Sequence, residues 1–275
     1  MTYLTTFHHI DEMLSAKGIV LKPFDSHSSF RFKGGATNQY KQVESLSGQA
    51  YLIRFNGKLW APFTRQAEDY HLTRLADKGV NTHVITNNVG ADVQVCRAYP
   101  LHKTFSEAKP GARKQGLVKI ANKMALVHGF GFAEQSFDLS SNILHNVSKI
   151  KGNNQMLTLM SQLVLKVVTR LAADSDNQVF SHNDLLPNSV YMHEDDVAIV
   201  DWEYAGVNHR TYDLALFSLK AKLTANEENC MLQAYDKDQS HDLSYSMLLA
   251  KLTIHFMALM WQAKTWSKAG VQSSP

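Results

Sequence analysis

The sequence has 275 residues, 44% of them hydrophobic and 19% charged, which is the composition of a globular chain with one large or two small domains. This composition excludes a disordered chain, a collagen and a disulfide scaffold. The 28 Lys and Arg against 25 Asp and Glu leave a net charge of only +3. We therefore expect a small-molecule partner, and neither nucleic acid nor a membrane surface.

Cysteine content and hydropathy indicate the compartment. Cys96 and Cys230 are far apart with no CxxC pair, so we interpret them as reduced, buried thiols of a cytoplasmic protein. The N-terminal residues mix polar and apolar groups, unlike a secretory signal. The most apolar stretches, such as 163–168, meet Lys or Arg well before the roughly 20 residues that cross a bilayer, so we predict no transmembrane segment.

The first part of the chain predicts a small antiparallel sheet with one helix. Short β-rich runs separated by turn residues occur at 30–33, 40–44, 50–55, 84–86 and 92–97. Thr64 is a predicted helix cap, and the helix after it ends at Gly79. Asn87 and Asn88 belong to a predicted turn between the last two strands. We assign residues 1–100 to this N-terminal lobe.

Residues 101–275 form a predicted second, mainly helical lobe. Helical spacing covers 115–128, 155–173, 226–235 and 244–266. A single β-hairpin interrupts these helices, with strands at 189–192 and 197–200 around an acidic turn. The fold class that we predict is α+β, with a small antiparallel sheet in one lobe and helices in the other.

The hairpin and the segments beside it carry the residues that suggest a catalysed reaction. A polar loop containing Asp184 and Asn188 enters it, and Asp201 follows its second strand. Because the ends of a hairpin are neighbours, two carboxylates and an amide oxygen are expected close together. Phosphoryl transfer needs an oxygen base near the acceptor hydroxyl and hard oxygen ligands for Mg²⁺. Asp184 is the candidate base, and Asn188 and Asp201 are candidate metal ligands.

These residues resemble known motifs. The sequence His-Asn-Asp at 182–184, followed by Asp201, is similar to the HxDxxxxN and D-x-[DE] motifs of the aminoglycoside phosphotransferase and choline kinase superfamily, relatives of the protein kinases. The resemblance implies a two-lobe kinase-like fold and ATP and Mg²⁺ as cofactors, with Asp184 and Asp201 as catalytic residues. The superfamily places its metal-binding Asn where this chain has Ser189, so both Asn188 and Ser189 stay candidate ligands.

The N-terminal lobe carries a second resemblance. Four residues of the first turn match the GGxTN phosphate loop of choline and thiamine kinases: Gly34, Gly35, Thr37 and Asn38. The resemblance implies that they bind the nucleotide, and that Arg54 on the third strand contacts its phosphates and pairs with Glu68. Independently, Glu68 shares a predicted helix face with Leu72 and Leu75, so its carboxylate points inward and needs a cation.

The acceptor site is suggested by two further segments. Residues 201–213 are similar to the DFEYxxxNxRxxDL segment of choline and ethanolamine kinases, and 255–261 resemble their HFLWGLW helix, although Ala258 replaces the first tryptophan. Quaternary ammonium groups bind over aromatic faces. The candidate rings are Tyr204, Trp261 and Trp266, with core packing as the alternative for both tryptophans. Glu203 is a candidate for contact with either the metal or the substrate.

The leading hypothesis is an ATP-dependent kinase that phosphorylates a hydroxyl of choline or a related cationic amino alcohol. Thiamine kinase is a close rival, and an aminoglycoside kinase is less favoured because the last helices offer few carboxylates. Ser189 at the usual Asn position keeps a nucleotide-binding pseudokinase or scaffold as a minor alternative. His182 and Asp213 are assigned structural roles, Asp213 by the resemblance. The oligomeric state, a homodimer included, is left open.

Overall fold

The computed structural model describes residues 3–23, 33–34, 38–59, 62–80, 83–98, 103–131, 133, 135–150, 155–238 and 243–268, with the backbone alone at 3–7, 33–34 and 264–268. The chain consists of two compact units, Met1–His102 and Lys103–Pro275. The first unit is a sheet with two helices, and the second is mainly helical. The mixed α+β class predicted from the sequence is confirmed.

The first unit is built on a five-stranded antiparallel sheet. Its strands are β1 (Lys33–Gly34), β2 (Gln39–Glu44), β3 (Ala50–Phe55), β4 (Val84–Asn88) and β5 (Val93–Arg97), in the order β1-β2-β3-β5-β4. Helix α1 (Tyr3–Ser15) packs on the sheet because Ile10 and Leu14 are fully buried with Ile53 and Val95 in one apolar cluster. This cluster holds the strands that carry the polar residues described below.

The strands predicted at 40–44 and 50–55 are confirmed, whereas most of the strand predicted at 30–33 lies outside the described residues. The predicted turn at Asn87 and Asn88 is wrong. Both residues belong to β4, where they pair with Gln94 and Val93. The reversal comes later, where Asp92 has a positive φ of 53°, a conformation that Asp tolerates better than most residues.

Helix α2 (Arg65–Asp77) begins as predicted. The Thr64 side chain accepts a hydrogen bond from the Ala67 amide at 3.1 Å, which satisfies one of the free amides of the first turn. The helix ends just before Gly79, whose φ is +73°. Its inward face carries Glu68, Leu72 and Leu75, so the carboxylate of Glu68 is buried as the spacing predicts.

The second unit contains six helices among its described residues: α3 (Pro110–His128), α4 (Leu139–Ser148), α5 (Gln155–Ala172), α6 (Thr211–Lys220), α7 (Ala225–Tyr235) and α8 (Leu243–Lys268). Two antiparallel strand pairs lie among them. One is β6 (Gln178–Ser181) with β9 (Gly206–His209), and the other is the hairpin of β7 (Val190–Met192) and β8 (Val197–Ile199). Residues 182–189 join β6 to the hairpin and include the candidate base Asp184; this segment is called the catalytic loop below because of the role predicted from the sequence.

Four helices and the hairpin agree with the sequence predictions, but α4, α6 and the β6–β9 pair were missed. Helix α6 shows why: its residues from Thr211 to Ser218 are all buried, so it has no polar face and no amphipathic period. The β6–β9 pair joins residues about thirty positions apart, such as Gln178 and His209, and no local pattern reveals such a pairing.

One described helix is long and apolar enough to cross a bilayer by length and composition alone, so the expectation that Lys or Arg interrupts every apolar stretch is wrong, while the prediction of no transmembrane segment is not tested. The segment is Leu243–Ala263, and 39% of its most apolar 18-residue stretch is buried inside the protein. Among its residues Lys251 is the one Asp, Glu, Lys or Arg. A single charge does not prevent a segment of this length from meeting the criterion for a membrane span. Its buried residues, including Phe256 and Met260, belong to a helix that packs against α5 and α6.

Basic residues of α3 are used in contacts within the second unit. Lys123 pairs with Asp196 at 2.6 Å and Lys119 donates to the His193 carbonyl at 3.1 Å, which ties the acidic turn of the hairpin to the helix. Arg113 pairs with Glu227 of α7 at 2.8 Å.

The cysteines differ from the prediction, because Cys96 and Cys230 are free thiols but only half-buried.

Candidate active site

Asp213 at the start of α6 holds the catalytic loop by its backbone. One carboxylate oxygen accepts from the His182 amide and the other from the Asn183 amide, each at 2.7 Å. Burial alone would raise the pKa of Asp213, but hydrogen bonds from His128 and His182 outweigh it and lower the pKa. Asp213 therefore stays ionised, and its structural role is confirmed.

Two residues that the sequence did not single out form a chain of hydrogen bonds that begins at Asp213. His128, the last residue of α3, contacts Asp213 Oδ2 through Nε2 at 3.2 Å, and its Nδ1 lies 2.6 Å from the Tyr235 hydroxyl. Both side chains are buried. The one available signal was that His128 lies four residues after Met124 on the apolar face of α3. The loop is thus anchored to α3, α6 and α7.

His182 connects the loop to the strand that leads to Asp201. Its Nδ1 lies 3.2 Å from the Asp184 amide and its Nε2 lies 2.9 Å from the Val200 carbonyl. Because an amide N–H only donates and a carbonyl only accepts, these contacts define a neutral imidazole protonated at Nε2. The ring packs against Trp202 with centroids 4.5 Å apart. The predicted packing role of His182 is confirmed, and it brings the backbones preceding the two acidic residues together.

Two of the four described non-glycine residues with a positive φ belong to this site. Asn183 has a φ of 66° and Asp201 a φ of 72°, which non-glycine residues adopt at a cost of about 1–3 kcal/mol. The Asn183 side chain compensates locally, since it donates to the Tyr204 carbonyl and accepts from Asn208, both at 2.9 Å. The surrounding hydrogen bonds therefore hold the two carboxylate-bearing turns in conformations that most sequences avoid.

Asp184 has the electrostatic setting of a proton acceptor. Its side chain is partly buried, and this burial raises its pKa above the ordinary value. The charge of Glu203 raises the pKa further, whereas the charge of Lys220 lowers it. A carboxylate whose pKa is shifted toward neutrality accepts a proton more readily than an ordinary aspartate. The pKa of the sequence-predicted base is therefore set by burial, by a second carboxylate and by a lysine cation.

The candidate metal ligands fall into two environments. Asp201 is half-buried, and its Oδ1 atom is fully buried. Asn188 is exposed, whereas Ser189 is buried and its carbonyl accepts from the Val200 amide at 3.0 Å. No three His, Cys, Asp or Glu side chains of the described residues converge on one point. The candidate donors are hard oxygens of the kind that Mg²⁺ prefers.

A buried ion-pair cluster occupies the first unit. Arg54 Nη2 lies 2.6 Å from Glu68 Oε1, which confirms the predicted pairing. Arg65 Nη1 lies 2.7 Å from Glu68 Oε2, so each carboxylate oxygen binds a different guanidinium. The three side chains are at most 9% exposed. Arg65 was missed at the sequence level, because an arginine in the first turn of a polar helix looks like a solvated residue.

The glycine-rich turn is partly described. Gly34 pairs with Gln39 in the sheet, whereas Gly35 and Thr37 lie outside the described residues. Asn38 is buried, and its Oδ1 accepts from the Gly57 amide at 3.1 Å and from Arg65 Nη2 at 2.8 Å. The end of the predicted phosphate loop is therefore joined to the ion-pair cluster through Arg65.

The predicted aromatic residues are differently placed. Tyr204 is half-buried, Trp261 is 65% exposed on α8, and the Trp266 side chain lies outside the described part of the chain. Trp261 is therefore not a core residue. Tyr212 was missed by sequence reasoning: burial first, and then the charge of Asp184, raises its pKa. Its hydroxyl lies 3.8 Å from Met257 Sδ, which connects the surroundings of the base to α8.

Comparison with solved structures identifies the fold. Choline kinase LicA from Streptococcus pneumoniae aligns over 98% of this chain and 94% of its own, with a TM-score of 0.76 and 21% identity. A choline/ethanolamine kinase family protein from Mesorhizobium loti aligns over 96% and 88%, with a TM-score of 0.72 and 20% identity. A type VIII aminoglycoside-3'-phosphotransferase also aligns, over 90% and 99%, with a TM-score of 0.59 and 17% identity. The fold is that of the protein-kinase-like phosphotransferases.

Sequence comparison is more specific. Protein LicA of Haemophilus influenzae is 21% identical over 81% of this chain and 67% of its own length. Residues 30–244, most of the chain, match the family described as choline/ethanolamine kinase, so the chain belongs to that family. It is accordingly a phosphotransferase whose acceptor is an alcohol, as the sequence motifs predicted.

Proposed function

We propose that this enzyme transfers the γ-phosphoryl group of ATP to the hydroxyl of choline or a closely related amino alcohol. The observation that carries the proposal is the state of Asp184: a loop fixed by Asp213 presents a partly buried carboxylate whose pKa is raised by burial and by the charge of Glu203. This is the arrangement that a hydroxyl acceptor requires, because its proton must leave as the new bond forms.

In the reaction that we propose, the acceptor oxygen attacks the γ-phosphorus and the bond to the β–γ bridging oxygen breaks. The hydroxyl proton goes to Asp184, and ADP leaves with the bridging oxygen. Asp201, with Ser189 or Asn188 from the loop, would hold Mg²⁺. When bound, this ion neutralises and orients the phosphate oxygens. The neutral His182 fixes the loop backbone and takes no part in the proton transfer.

The nucleotide phosphates are assigned to the first unit. Arg54 is permanently charged and held in place by Glu68 and by Asn56, whose Oδ1 accepts from Arg54 Nε at 2.8 Å. The glycine pair of the phosphate loop allows close approach of backbone amides to phosphate. A solved structure of LicA in complex with AMP, with a TM-score of 0.73 to this chain, supports an adenine nucleotide as the donor.

A cationic acceptor is supported by the charges around the base. The charge of Glu203 raises the pKa of Asp184, and a positively charged alcohol would offset this excess of negative charge. Tyr204 and Trp261 remain proposed ring contacts for the ammonium group. Lys220 opposes this attraction, so the charge balance favours a monocation such as choline over a polycationic aminoglycoside.

The test is a parallel assay of the purified chain with Mg-ATP and choline, ethanolamine, thiamine or kanamycin. ADP release and the mass of the phosphorylated acceptor are measured for each. We expect kcat/KM to be highest for choline or ethanolamine. A dominant thiamine or kanamycin product would replace the acceptor that we propose, and turnover of none of the four would contradict the acceptor class.

A cytoplasmic location is part of the proposal, since ATP is available there. It is supported by Cys96 and Cys230, which are free thiols in the structure. Fractionation of cells that express the tagged protein would test it, because recovery in a membrane or secreted fraction contradicts it. The apolar helix α8 makes the membrane fraction the informative one.

A further inference from the structure

We propose that Arg65 is a positioning residue that couples the end of the phosphate loop to the Arg54–Glu68 pair and thereby sets the affinity for the nucleotide phosphates. The inference rests on the proposed function, because it takes ATP as the ligand of the first unit. It goes beyond that function by assigning a role to a residue that contacts no proposed ligand itself.

The geometry is that of a three-way connection. From one side of the Arg65 guanidinium, Nη1 donates to Glu68 Oε2 at 2.7 Å. From the other, Nη2 donates to Asn38 Oδ1 and to the Gly57 carbonyl, both at 2.8 Å. One planar group thus joins α2, the start of β2 and the segment after β3. A lysine ammonium has a single nitrogen and does not span both sides of such a fork.

The connection controls the orientation of Arg54. Glu68 Oε1 accepts from Arg54 Nη2 at 2.6 Å, and Oε2 is occupied by Arg65. Without Arg65 the carboxylate is free to rotate about its last bond, and the direction in which it holds the Arg54 guanidinium is lost. Two charge-assisted hydrogen bonds, one on each oxygen, therefore fix the plane of the Glu68 carboxylate.

The same residue fixes the phosphate loop. Asn38 ends the GGxTN turn, and its Oδ1 accepts from both the Gly57 amide and Arg65. Because this oxygen accepts from two protein donors, we assign Asn38 the role of anchoring the end of the loop. Arg65 therefore acts on two phosphate-binding features at once, the loop and the Arg54 side chain.

A purely structural role for Arg65 predicts a different result. Breaking a buried ion pair lowers stability wherever it lies, so the melting temperature alone does not discriminate. Arg113→Lys is a matched control, since Arg113 also binds a carboxylate, Glu227, and a backbone carbonyl, that of Ala221. The control residue belongs to the second unit, whereas the proposed phosphate-binding residues belong to the first.

The experiment measures the Kd of Mg-ATP by calorimetry, with the melting temperature recorded for each variant. We expect Arg65→Lys to weaken binding about tenfold or more, the effect of losing a charge-assisted contact. Arg113→Lys is expected to lower the melting temperature and leave the Kd within about twofold. An unchanged Kd for folded Arg65→Lys would overturn the proposal.

Asn38→Ala supplies a second variant that leaves the Arg65–Glu68 pair in place, should Arg65→Lys fold poorly. It is expected to weaken ATP binding in the same direction. The double variant should be little weaker than Arg65→Lys alone, because both substitutions break one connection. Additive effects, or normal ATP binding by Asn38→Ala, would show that the connection does not set nucleotide affinity.

The binding readout separates this inference from the proposed function. A wild-type chain that binds Mg-ATP and phosphorylates none of the acceptors contradicts the proposed function, while the Arg65 comparison still gives an answer. A wild-type chain that does not bind Mg-ATP contradicts both. The KM for the acceptor is expected to be unchanged in Arg65→Lys, since the connection lies entirely within the first unit.

Discussion

Two carboxylates, Glu68 in the first unit and Asp213 in the second, have the same burial and opposite kinds of partner. Both side chains are fully buried. Glu68 binds the guanidinium groups of Arg54 and Arg65. Asp213 binds the backbone amides of two adjacent loop residues and the imidazole of His128. The first carboxylate positions side chains, whereas the second positions the main chain.

The difference teaches how the two regions tolerate change. Long side chains have several rotatable bonds, so the orientation of Arg54 depends on every member of its cluster. A main-chain anchor fixes the residues beside it whatever their side chains are, so the side chain of Asp184 can change without moving the loop. We expect substitutions in the first unit to affect ligand affinity, and substitutions around Asp213 to affect folding and turnover together.

The largest effect is expected at the base. Asp184→Asn removes the proton acceptor and should lower kcat by about 10²- to 10⁴-fold in the phosphorylation assay. Its pKa is raised in the folded protein, so ionisation of Asp184 above its unfolded pKa costs stability. The free energy of unfolding at neutral pH should therefore rise in Asp184→Asn. Asp195→Asn, in the exposed turn of the same hairpin, is the control with unchanged kcat.

Removing the main-chain anchor should be the most destabilising change. Asp213→Ala leaves the His182 and Asn183 amides without their acceptor and is expected to cost about 3–5 kcal/mol in denaturant unfolding. Activity should fall with it. Asp196→Ala removes an exposed carboxylate paired with Lys123 and should cost at most about 1 kcal/mol. Equal effects of the two would contradict the anchoring role.

The corresponding change in the first unit is Glu68→Gln. It removes the negative charge that lies between two buried guanidinium groups, so we expect a loss of about 3 kcal/mol in the free energy of unfolding. Unlike Asp213→Ala, it should leave the kcat at saturating ATP close to that of the wild type and raise the KM for ATP. Glu44→Gln, whose partner Lys22 is exposed, is the matched control. A kcat loss with unchanged ATP KM would refute the contrast.

A smaller effect is expected at Gly206, beside the loop. A Cβ atom there would lie 2.6 Å from the Gln135 carbonyl oxygen, so Gly206→Ala should destabilise the protein by about 1–3 kcal/mol. At Gly111, in the first turn of α3, an added Cβ would meet nothing within 4 Å. Gly111→Ala should be neutral or stabilising by up to about 1 kcal/mol. Thermal unfolding compares the two directly.

The smallest effect is on the pH profile. Since burial raises the pKa of Asp184, kcat/KM should fall about tenfold per pH unit below a pKa that lies above the ordinary value of about 3.9. Lys220 lowers this pKa, so Lys220→Met should move the acidic limb to higher pH. Lys166→Met, on the exposed face of α5, should not move it. A shift to lower pH would contradict the assignment.

The sequence was informative where the signal is local. Asp184 and Asp201 flank a hairpin whose alternation and turn are visible in a dozen residues, and Glu68 falls on the apolar face of a capped helix. Arg65 could not be predicted, because its partner Asn38 is 27 positions away and its own helix turn looks solvated. The aromatic residues show a similar limit, since spacing did not distinguish the exposed Trp261 from a core residue.

Asp201 illustrates how backbone and chemistry constrain one position together. Its left-handed φ of 72° is a conformation that aspartate and asparagine visit more readily than alanine, glutamate or any branched residue. A change to Glu would keep the negative charge and still oppose the turn. Variants designed to remove the charge at this position should therefore use asparagine, and the choice of amino acid here is limited twice, once by the backbone conformation and once by the oxygen ligand that the proposed Mg²⁺ site needs.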